Sequence, residues 1–433
     1  MPDESLPWQS GSPHFVEITS FGREGGAGID RLAVAGSNSM LRPSTDAERP
    51  DRSGDAMGRR LVCVDALRVA IIAMVIVHHA AQAYGPTGGV WRVHQSEQIH
   101  WLVVFYSVNA AFGMGLLFAI AGYFVPASYE RKGPKRFLAE RGRRLGVPLL
   151  VFIALHLPLV YFAGGGPRPL RAYAAWLYAN GWGPVYLHLW FLGDLLLFTA
   201  FYVIWRRMVR GEPTKQPVRA PMGASLVAFT AVIAVATWIV RIRYPVDHWV
   251  PLFWIVAAEP AHLPQYVGLF GAGILGYHRD WLRTISKSAG YTWLVVGVVA
   301  SALAYVVYGS GYWNAFMAPG GLNVSSLARS CWESLVCVSL SIGLVVLFRE
   351  TVHDARPLLT TLAQDSYAAY ILHIYVVVGL QAALLGVALP VGIKLLGVSA
   401  VGILLAFGAA HASSRVPGLR AVLGTTRARA QRA

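Results

Sequence analysis

Arg68 and His79 are the two residues of this chain whose types and spacing best suit catalysis or transport. They lie eleven residues apart in one apolar run, LVCVDALRVAIIAMVIVHHAAQAY, from Leu61 to Tyr84. Eleven residues at ~100° each complete three turns plus ~20°, so the two side chains project from one helix face, ~16 Å apart. Asp65 falls on the same side. Ionisable groups in a membrane helix are costly and by default face a bundle interior or polar cavity, so we expect this helix to line a reaction or transport site.

The histidine suggests the chemistry. Histidine is the usual general base near neutral pH, and His79 is the better candidate because His78 points ~80° away from the Arg68 face. We therefore predict His79, Arg68 and Asp65 as catalytic residues. The i,i+3 spacing of Asp65 and Arg68 also fits a buried salt bridge beside a structural histidine, and that alternative stays open.

A basic stretch follows the second apolar segment, RKGPKRFLAERGRRLGVPLL from Arg131 to Leu150. Arg141 and Arg144 are spaced i,i+3 and would share a helix face, with Arg143 turned away. The stretch could be a topological anchor. Its density of positive charge exceeds what anchoring needs, and a cytoplasmic basic pocket suits an anionic donor that carries phosphates.

Two later apolar segments contain supporting candidates. Asp194 lies in the run HLWFLGDLLLFTAFY, and we expect it to pair with a cation from another helix, as a functional or a structural ion pair. Ser366, Tyr370 and His373 follow an i, i+4, i+7 spacing, which predicts one polar stripe on one helix. The alternative is a seam of interhelical hydrogen bonds.

The composition identifies the class of protein. The chain has 433 residues, of which 55% are apolar and only 14% charged, whereas soluble proteins carry about 25% charged residues. We predict an all-α, polytopic membrane helical bundle. Its ten predicted spans are residues 62–84, 103–125, 145–163, 186–205, 222–242, 264–278, 290–310, 329–349, 365–388 and 391–411. The sixth is short and interrupted by glycines.

The basic residues orient these spans. With a cytoplasmic N-terminus they concentrate in the inner loops and the C-terminal tail, which is the positive-inside pattern and places both termini in the cytoplasm. This pattern explains the net charge of +15 without nucleic acid. Arginine far outnumbers lysine, which is typical of a GC-rich bacterium and points to the plasma (inner) membrane.

Three segments follow from this reading. Residues 1–58 are predicted to be a disordered cytoplasmic tail, unless translation starts at Met57; residues 59–411 form the membrane domain, and residues 412–433 a basic cytoplasmic tail. Cys63, Cys331 and Cys337 have no metal-ligand spacing and form no disulfide framework. We expect neither a metal nor a resident cofactor.

Taken together, these motifs resemble the integral-membrane acyltransferases often called acyltransferase family three, across about residues 62–411. The family includes O-acetylases of surface polysaccharides and succinyltransferases of periplasmic glucans. The matching motifs are Arg-x10-His, here Arg68 to His79; Arg-x-x-Arg, here Arg141 to Arg144; and the late Ser-Tyr…Tyr…His, here Ser366, Tyr367, Tyr370 and His373. The family's Ser-Gly-Phe turn appears as Ala121-Gly122-Tyr123, and its Trp-Ser-Leu region lacks the serine and carries Asp194.

The resemblance implies a specific activity. An acyl-CoA co-substrate would bind from the cytoplasm, with its phosphates held by Arg141, Arg144 and Arg136. His79 would activate a hydroxyl of a carbohydrate or glycolipid acceptor, and Arg68 would bind the donor or stabilise developing charge. Two alternatives stay open: a proton- or ion-coupled transporter that uses these ionisable groups as a relay, and a non-catalytic scaffold of the same ancestry.

Overall fold

The computed structural model is a helical bundle with one short β-hairpin among the residues it describes. Those residues are 52–86, 91, 93–162, 169–179, 183–209, 216–254 and 256–423. Most of the predicted N-terminal tail, residues 1–51, and the last ten residues of the predicted C-terminal tail, 424–433, lie outside them. The first helix begins at Arg52, so residues 52–58 continue into a helix rather than belonging wholly to a tail.

The helices and strands follow in chain order. They are α1 (Arg52–Ala81), α2 (Leu102–Arg141), α3 (Val147–Phe162), α4 (Leu170–Ala179), α5 (Gly183–Tyr186), α6 (Trp190–Met208), α7 (Ala224–Arg243), β1 (Val250–Leu252), β2 (Val256–Ala258), α8 (Leu263–His278), α9 (Trp281–Thr284), α10 (Lys287–Gly309), α11 (Trp313–Phe316), α12 (Val324–Thr351), α13 (Pro357–Ala383), α14 (Val391–Ser413) and α15 (Pro417–Leu423). A π-helical turn occupies Gly142–Gly146, and 3₁₀ turns occupy Leu187–Leu189 and Pro260–His262. The two strands pair antiparallel, with Pro251 opposite Ala257.

Every predicted span coincides with a helix. Within the described residues, eight helical segments are long and apolar enough to cross a membrane. One of these, Leu102–Phe162, is 61 residues long and contains both the second and the third predicted spans. The sixth predicted span is α8, which has 16 residues, fewer than the ~20 that a perpendicular crossing needs. The polytopic helical fold is confirmed, whereas the number of crossings and the side of each terminus stay predictions.

The glycines of α8 do not interrupt this short helix, and they allow it to pack closely against α2. A Cβ at Gly273 would overlap the carbonyl oxygen of Ala119, and one at Gly122 would overlap the carbonyl oxygen of Phe270. Small residues at reciprocal positions allow the backbones of two membrane helices to touch. The helices α2 and α8 therefore form one tightly joined pair, packed beside α12 and α7.

One end of the bundle is strongly basic. The chain leaves helical geometry at Gly133, whose φ of 71° suits a glycine before a proline. The segment that follows carries Arg141, Arg143 and Arg144, and we call this side the basic end. At the opposite, distal end, the Tyr106 hydroxyl donates to the carbonyl of Ala81 at 2.7 Å, which holds the start of α2 against the end of α1. The helices α1 and α13 run parallel between the two ends and pack along their length.

Candidate active site

His79 and His373 meet between α1 and α13, towards the distal end. Their ring centroids are 4.9 Å apart, and His373 Nε2 lies 3.1 Å from His79 Nδ1. His373 is fully buried, while His79 is only partly buried. The sequence placed each histidine on a polar helix face, and the structure brings those two faces together.

Backbone carbonyls fix which nitrogen of each ring carries the proton. Because a carbonyl only accepts, His79 Nδ1–H donates to the oxygen of Val75 at 2.9 Å, and His373 Nδ1–H donates to the oxygen of Tyr370 at 2.5 Å. His373 Nε2 is then an acceptor for the shared His79 Nδ1–H. No described residue hydrogen-bonds His79 Nε2, so this nitrogen presents a lone pair to the site. A neutral imidazole held in one tautomer with an open nitrogen is the arrangement that a general base requires.

Two further histidines extend this pair into the bundle. The His188 ring lies 5.1 Å from the His373 ring, and the His156 ring lies 6.1 Å beyond it. His188 Nε2–H donates to the carbonyl of Ile371 at 2.9 Å, and His156 Nε2 accepts from the Tyr375 hydroxyl at 2.5 Å. The sequence analysis missed both as site residues. The available signal was a buried histidine in an apolar run, which is functional by default in a membrane helix.

A tryptophan and a glutamine cover the histidine pair on the distal side. The Trp91 ring lies 5.5 Å from the His79 ring, and its Nε1–H donates to Gln381 Oε1 at 2.8 Å. Gln381 Nε2 donates in turn to the carbonyls of His79 and Ala80, at 3.0 and 2.9 Å. These bonds fix the last turn of α1, and with it the His79 side chain.

Arg68 is held at the other end of the same two helices. Its guanidinium lies 2.9 Å from Asp65 Oδ1, as the i,i+3 spacing predicted. It also donates to Ser366 Oγ at 3.1 Å and to the carbonyl of Ala363 at 2.8 Å, both on α13. About a third of the Arg68 side chain remains exposed. Arg68 is therefore held in a fixed position, and its side chain stays partly accessible rather than being enclosed in a fully buried salt bridge.

Arg144 lies close to Arg68 at the basic end, and Arg141 lies close to Arg144. A π-helical turn, closed by the Val147 N–H to the carbonyl of Gly142, lies between them in place of the regular α-helix that the sequence suggested. The Arg141 guanidinium lies 5.3 Å from the Phe137 ring centroid, and that of Arg144 lies 5.9 Å from the Tyr367 ring centroid. π-helical turns often occur at functional sites.

The arginine side chains at the basic end lie close enough to repel one another. Arg144 repels both Arg68 and Arg141, and Arg144 and Arg136 are exposed. The Tyr367 hydroxyl donates to the carbonyl of Arg144 at 2.8 Å, which ties this turn to α13. Exposed cations that repel one another are suited to an anionic ligand, because phosphates remove the repulsion on binding.

Two supporting residues behave differently from each other. Tyr370 is buried and donates its hydroxyl to the carbonyl of His188, so it fixes the histidine row. Asp194 is fully buried, and neither carboxylate oxygen has a hydrogen-bond partner among the described residues. The prediction that Asp194 pairs with a cation of another helix is therefore wrong for the described part of the chain.

A separate cluster of buried, charged side chains lies at the distal end. Glu333 binds Arg241, which is fully buried, and Arg329 Nε at 2.7 Å. His262 Nδ1 lies 3.0 Å from Glu259 Oε2 and its Nε2 lies 3.5 Å from Glu333 Oε2. Burial alone would lower the pKa of His262, but the carboxylates of Glu259 and Glu333 raise it to about 9. Burial alone would raise the pKa of Glu259, but the contact with His262 lowers it. The pKa of Glu259 therefore lies below its usual value.

The site shows no metal-binding geometry. In the part of the chain that the structure describes, no three His, Cys, Asp or Glu side chains converge as metal ligands would. The histidine row is held instead by ring contacts and by hydrogen bonds to backbone carbonyls.

Comparisons with known proteins agree with this architecture. An acyltransferase domain model matches residues 61–411. Proteins called glucans biosynthesis protein C from Salmonella schwarzengrund, Salmonella heidelberg and Salmonella enteritidis are each 28% identical over 265 residues, covering 57% of this chain and 67% of the relative. No solved structure matches the chain. The domain model covers most of the chain, including Arg68 and Arg144 at the basic end and His79 and His373 towards the distal end. This protein therefore belongs to the acyltransferase family of membrane enzymes.

Proposed function

We propose that this membrane acyltransferase moves an acyl group from cytoplasmic acyl-CoA to a hydroxyl of a carbohydrate or cell-envelope glycoconjugate at the bacterial inner membrane. The observation that carries the proposal is the open Nε2 of His79, on a ring whose Nδ1–H is already held by Val75 and His373. The name of the Salmonella relatives, which refers to glucans, supports a carbohydrate acceptor.

The donor would bind along α1 and α13. Its phosphates would lie on Arg141, Arg144 and Arg136, whose guanidinium groups offer paired N–H donors. Those of Arg144 and Arg136 are exposed. Arg68 lies on the path from this end towards His79, ~16 Å along α1, and is held by Ser366 and Asp65. The pantetheine arm would cross that distance and bring the thioester to the histidine pair.

The transfer step then has a defined role for each group. His79 Nε2 takes the proton of the acceptor hydroxyl while the hydroxyl oxygen attacks the acyl carbon. The C–S bond breaks, the CoA thiolate leaves, and the proton passes from His79 to the leaving sulfur or to solvent. The products are the acyl ester and free CoA. A positioned general base contributes about 10²- to 10⁴-fold to such a step.

The test is turnover of acetyl-CoA and succinyl-CoA by the purified protein in lipid nanodiscs, with linear glucose oligosaccharides as acceptors and release of free CoA thiol as the readout. We expect His79→Ala to lose at least 100-fold in rate. The matched control is His78→Ala, since His78 lies on the same turn but faces Phe105 and Tyr106. Equal rates for wild type and His79→Ala would refute this assignment, and loss in both variants would indicate a folding defect.

A further inference from the structure

The proton that His79 takes up in the transfer step leaves a positive charge on its ring without a counter-charge. His79 Nδ1–H faces the carbonyl of Val75 and His373 Nε2, which are neutral acceptors. Among the described residues no carboxylate lies within 4 Å of either nitrogen of this ring. Asp65 lies fourteen residues earlier, ~21 Å along α1, and is paired with Arg68. A charge inside the bundle is costly unless a neighbouring group stabilises it, so the imidazolium needs a partner other than a carboxylate.

The Trp91 ring lies next to that charge. Its centroid is 5.5 Å from the His79 ring centroid, with an angle of 32° between the two planes. Rings in edge-on contact are close to perpendicular, as His78 is to His79 at 77°, whereas 32° at this distance is a tilted, offset-stacked arrangement. The face of the indole, which carries partial negative charge, is therefore directed towards the imidazole. Tryptophan gives the strongest cation–π contacts, at distances up to about 6 Å from the ring centroid.

One side chain fixes both rings of this contact. Gln381 is fully buried on α13, and its Oε1 accepts from Trp91 Nε1–H at 2.8 Å. Its Nε2 donates to the carbonyls of His79 and Ala80, at 3.0 and 2.9 Å. The orientation of the amide is unambiguous, because carbonyls only accept and an indole N–H only donates. Gln381 thus joins the indole to the turn of α1 that carries His79, and it occupies the polar edge of the indole.

Backbone hydrogen bonds hold the segment that follows Trp91 against the end of α1. The Gln95 N–H donates to the carbonyl of Ala83 at 3.0 Å, and the Ile99 N–H donates to that of Tyr84 at 2.7 Å. Both carbonyls lie within three residues of the end of α1. The position of Trp91 is therefore tied to the helix that carries the base through its own side chain and through the backbone that follows it.

We propose that Trp91 is a positioning residue whose indole face stabilises the imidazolium that His79 becomes when it takes the acceptor proton. The inference rests on the proposed function, in which His79 is the base. No bond to Trp91 forms or breaks: the acceptor O–H proton moves to His79 Nε2, and it then leaves with the CoA sulfur or to solvent. The contact acts on the transition state, where part of this charge has already developed, and not on the neutral ground state.

Two other roles of Trp91 predict different kinetics. A ring that stacks on a sugar of the acceptor would change the KM for the acceptor, and a ring that only covers the site would act through its bulk. Cation–π attraction instead depends on the negative charge at the ring face. Fluorine atoms withdraw that charge step by step and change the ring volume little, so a series of fluorinated rings separates the three roles.

The experiment places tryptophan and then its mono-, di- and trifluorinated analogues at position 91 by stop-codon suppression. The protein in phosphatidylcholine nanodiscs is mixed with substoichiometric acetyl-CoA or succinyl-CoA and with linear glucose oligosaccharides, and the single-turnover release of CoA thiol is followed. We expect the logarithm of the rate to fall in proportion to the number of fluorine atoms. Trp91→Leu, which keeps apolar bulk without a ring face, should lose about 2- to 30-fold in rate, and Trp91→Phe should lose less. The acceptor KM should stay the same throughout the series.

Trp101→Leu is the matched control. Trp101 lies at the other end of the same connection between α1 and α2, is 50% exposed, and its ring is 6.4 Å from that of Tyr305 on α10. Its substitution should change neither the rate nor the acceptor KM. Equal losses in Trp101→Leu and Trp91→Leu would indicate a general disturbance of this connection and overturn the inference.

Three further outcomes contradict the inference and leave the proposed function intact. A loss in Trp91→Leu without any dependence on fluorine would make Trp91 a cover over the site. A dependence on fluorine confined to the acceptor KM would make it a platform for the sugar, and unchanged rates across the series would remove it from the reaction. Absence of wild-type turnover, or unchanged turnover in His79→Ala, is the separate result that would refute the proposed function and the inference with it.

Discussion

Replacing His373 should slow the enzyme modestly, whereas replacing His79 should nearly abolish it. His79 Nδ1–H has two acceptors, the carbonyl of Val75 at 2.9 Å and His373 Nε2 at 3.1 Å. In His373→Leu the carbonyl remains and still fixes the tautomer. The loss is then at most one neutral hydrogen bond, about 0.5–1.5 kcal/mol, which is about 2- to 12-fold in kcat. His79→Gln removes the proton acceptor itself and should cost about 10²- to 10⁴-fold.

The assay is initial-rate release of CoA thiol from proteoliposomes that contain equal amounts of each folded variant. His373→Gln is the matched control, because its carboxamide oxygen can still accept from His79 Nδ1–H and should recover most of the loss. If His373→Leu lost as much activity as His79→Gln, His373 would be the base. That result would contradict the reasoning from tautomers, in which both nitrogens of His373 are occupied.

Three further predictions concern the donor, pH and packing. Arg144→Ala should raise the KM for acyl-CoA at least tenfold with little change in kcat, since it loses a charged contact to phosphate, while Arg143→Ala should change KM less. For His262, a pKa raised to about 9 stabilises the fold fully below pH ~6.5 and loses that contribution, on the order of 3 kcal/mol, as pH rises through 9. The Tm in detergent should therefore fall between pH 7 and 10 in wild type and stay nearly flat in His262→Gln; a parallel fall in both would contradict this. Gly273→Ala should lower stability by about 1–3 kcal/mol because its Cβ overlaps a carbonyl of α2, whereas Gly271→Ala, which meets open space, should be neutral in the same thermal unfolding assay.

The sequence predicted the helices and the faces of the site well, because both depend on local periodicity. The eleven-residue spacing of Arg68 and His79 placed both on one face of α1, and the spacing of Ser366 and His373 placed both on one face of α13. Whether these two faces meet depends on how the helices pack, and helix packing leaves no periodic pattern in the sequence. The contacts of Ser366 with Arg68 and of His373 with His79 became visible only in the fold.

The predictions that failed and the residues that the sequence analysis overlooked also have physical explanations. Asp194 was expected to bind a cation because a buried carboxylate is costly without one, yet neither of its oxygens has a hydrogen-bond partner among the described residues. His156 and His188 each stand alone in apolar sequence, and only tertiary packing aligns them into a row. The π-helical turn between Arg141 and Arg144 departs from the α-helical spacing on which the prediction of a shared face rested.

The parallel pairing of α1 and α13 makes the site sensitive to insertions. One extra residue between Arg68 and His79 would turn His79 by ~100° and advance it by ~1.5 Å relative to Arg68, so one of the two contacts with α13 would be lost. The same insertion in the loop between α13 and α14, residues 384–390, would leave both contacts in place, because loops absorb added length. The spacing of eleven residues in α1 against seven in α13 thus fixes the distance between Arg68 and His79, and we expect this protein to tolerate added residues only in its loops.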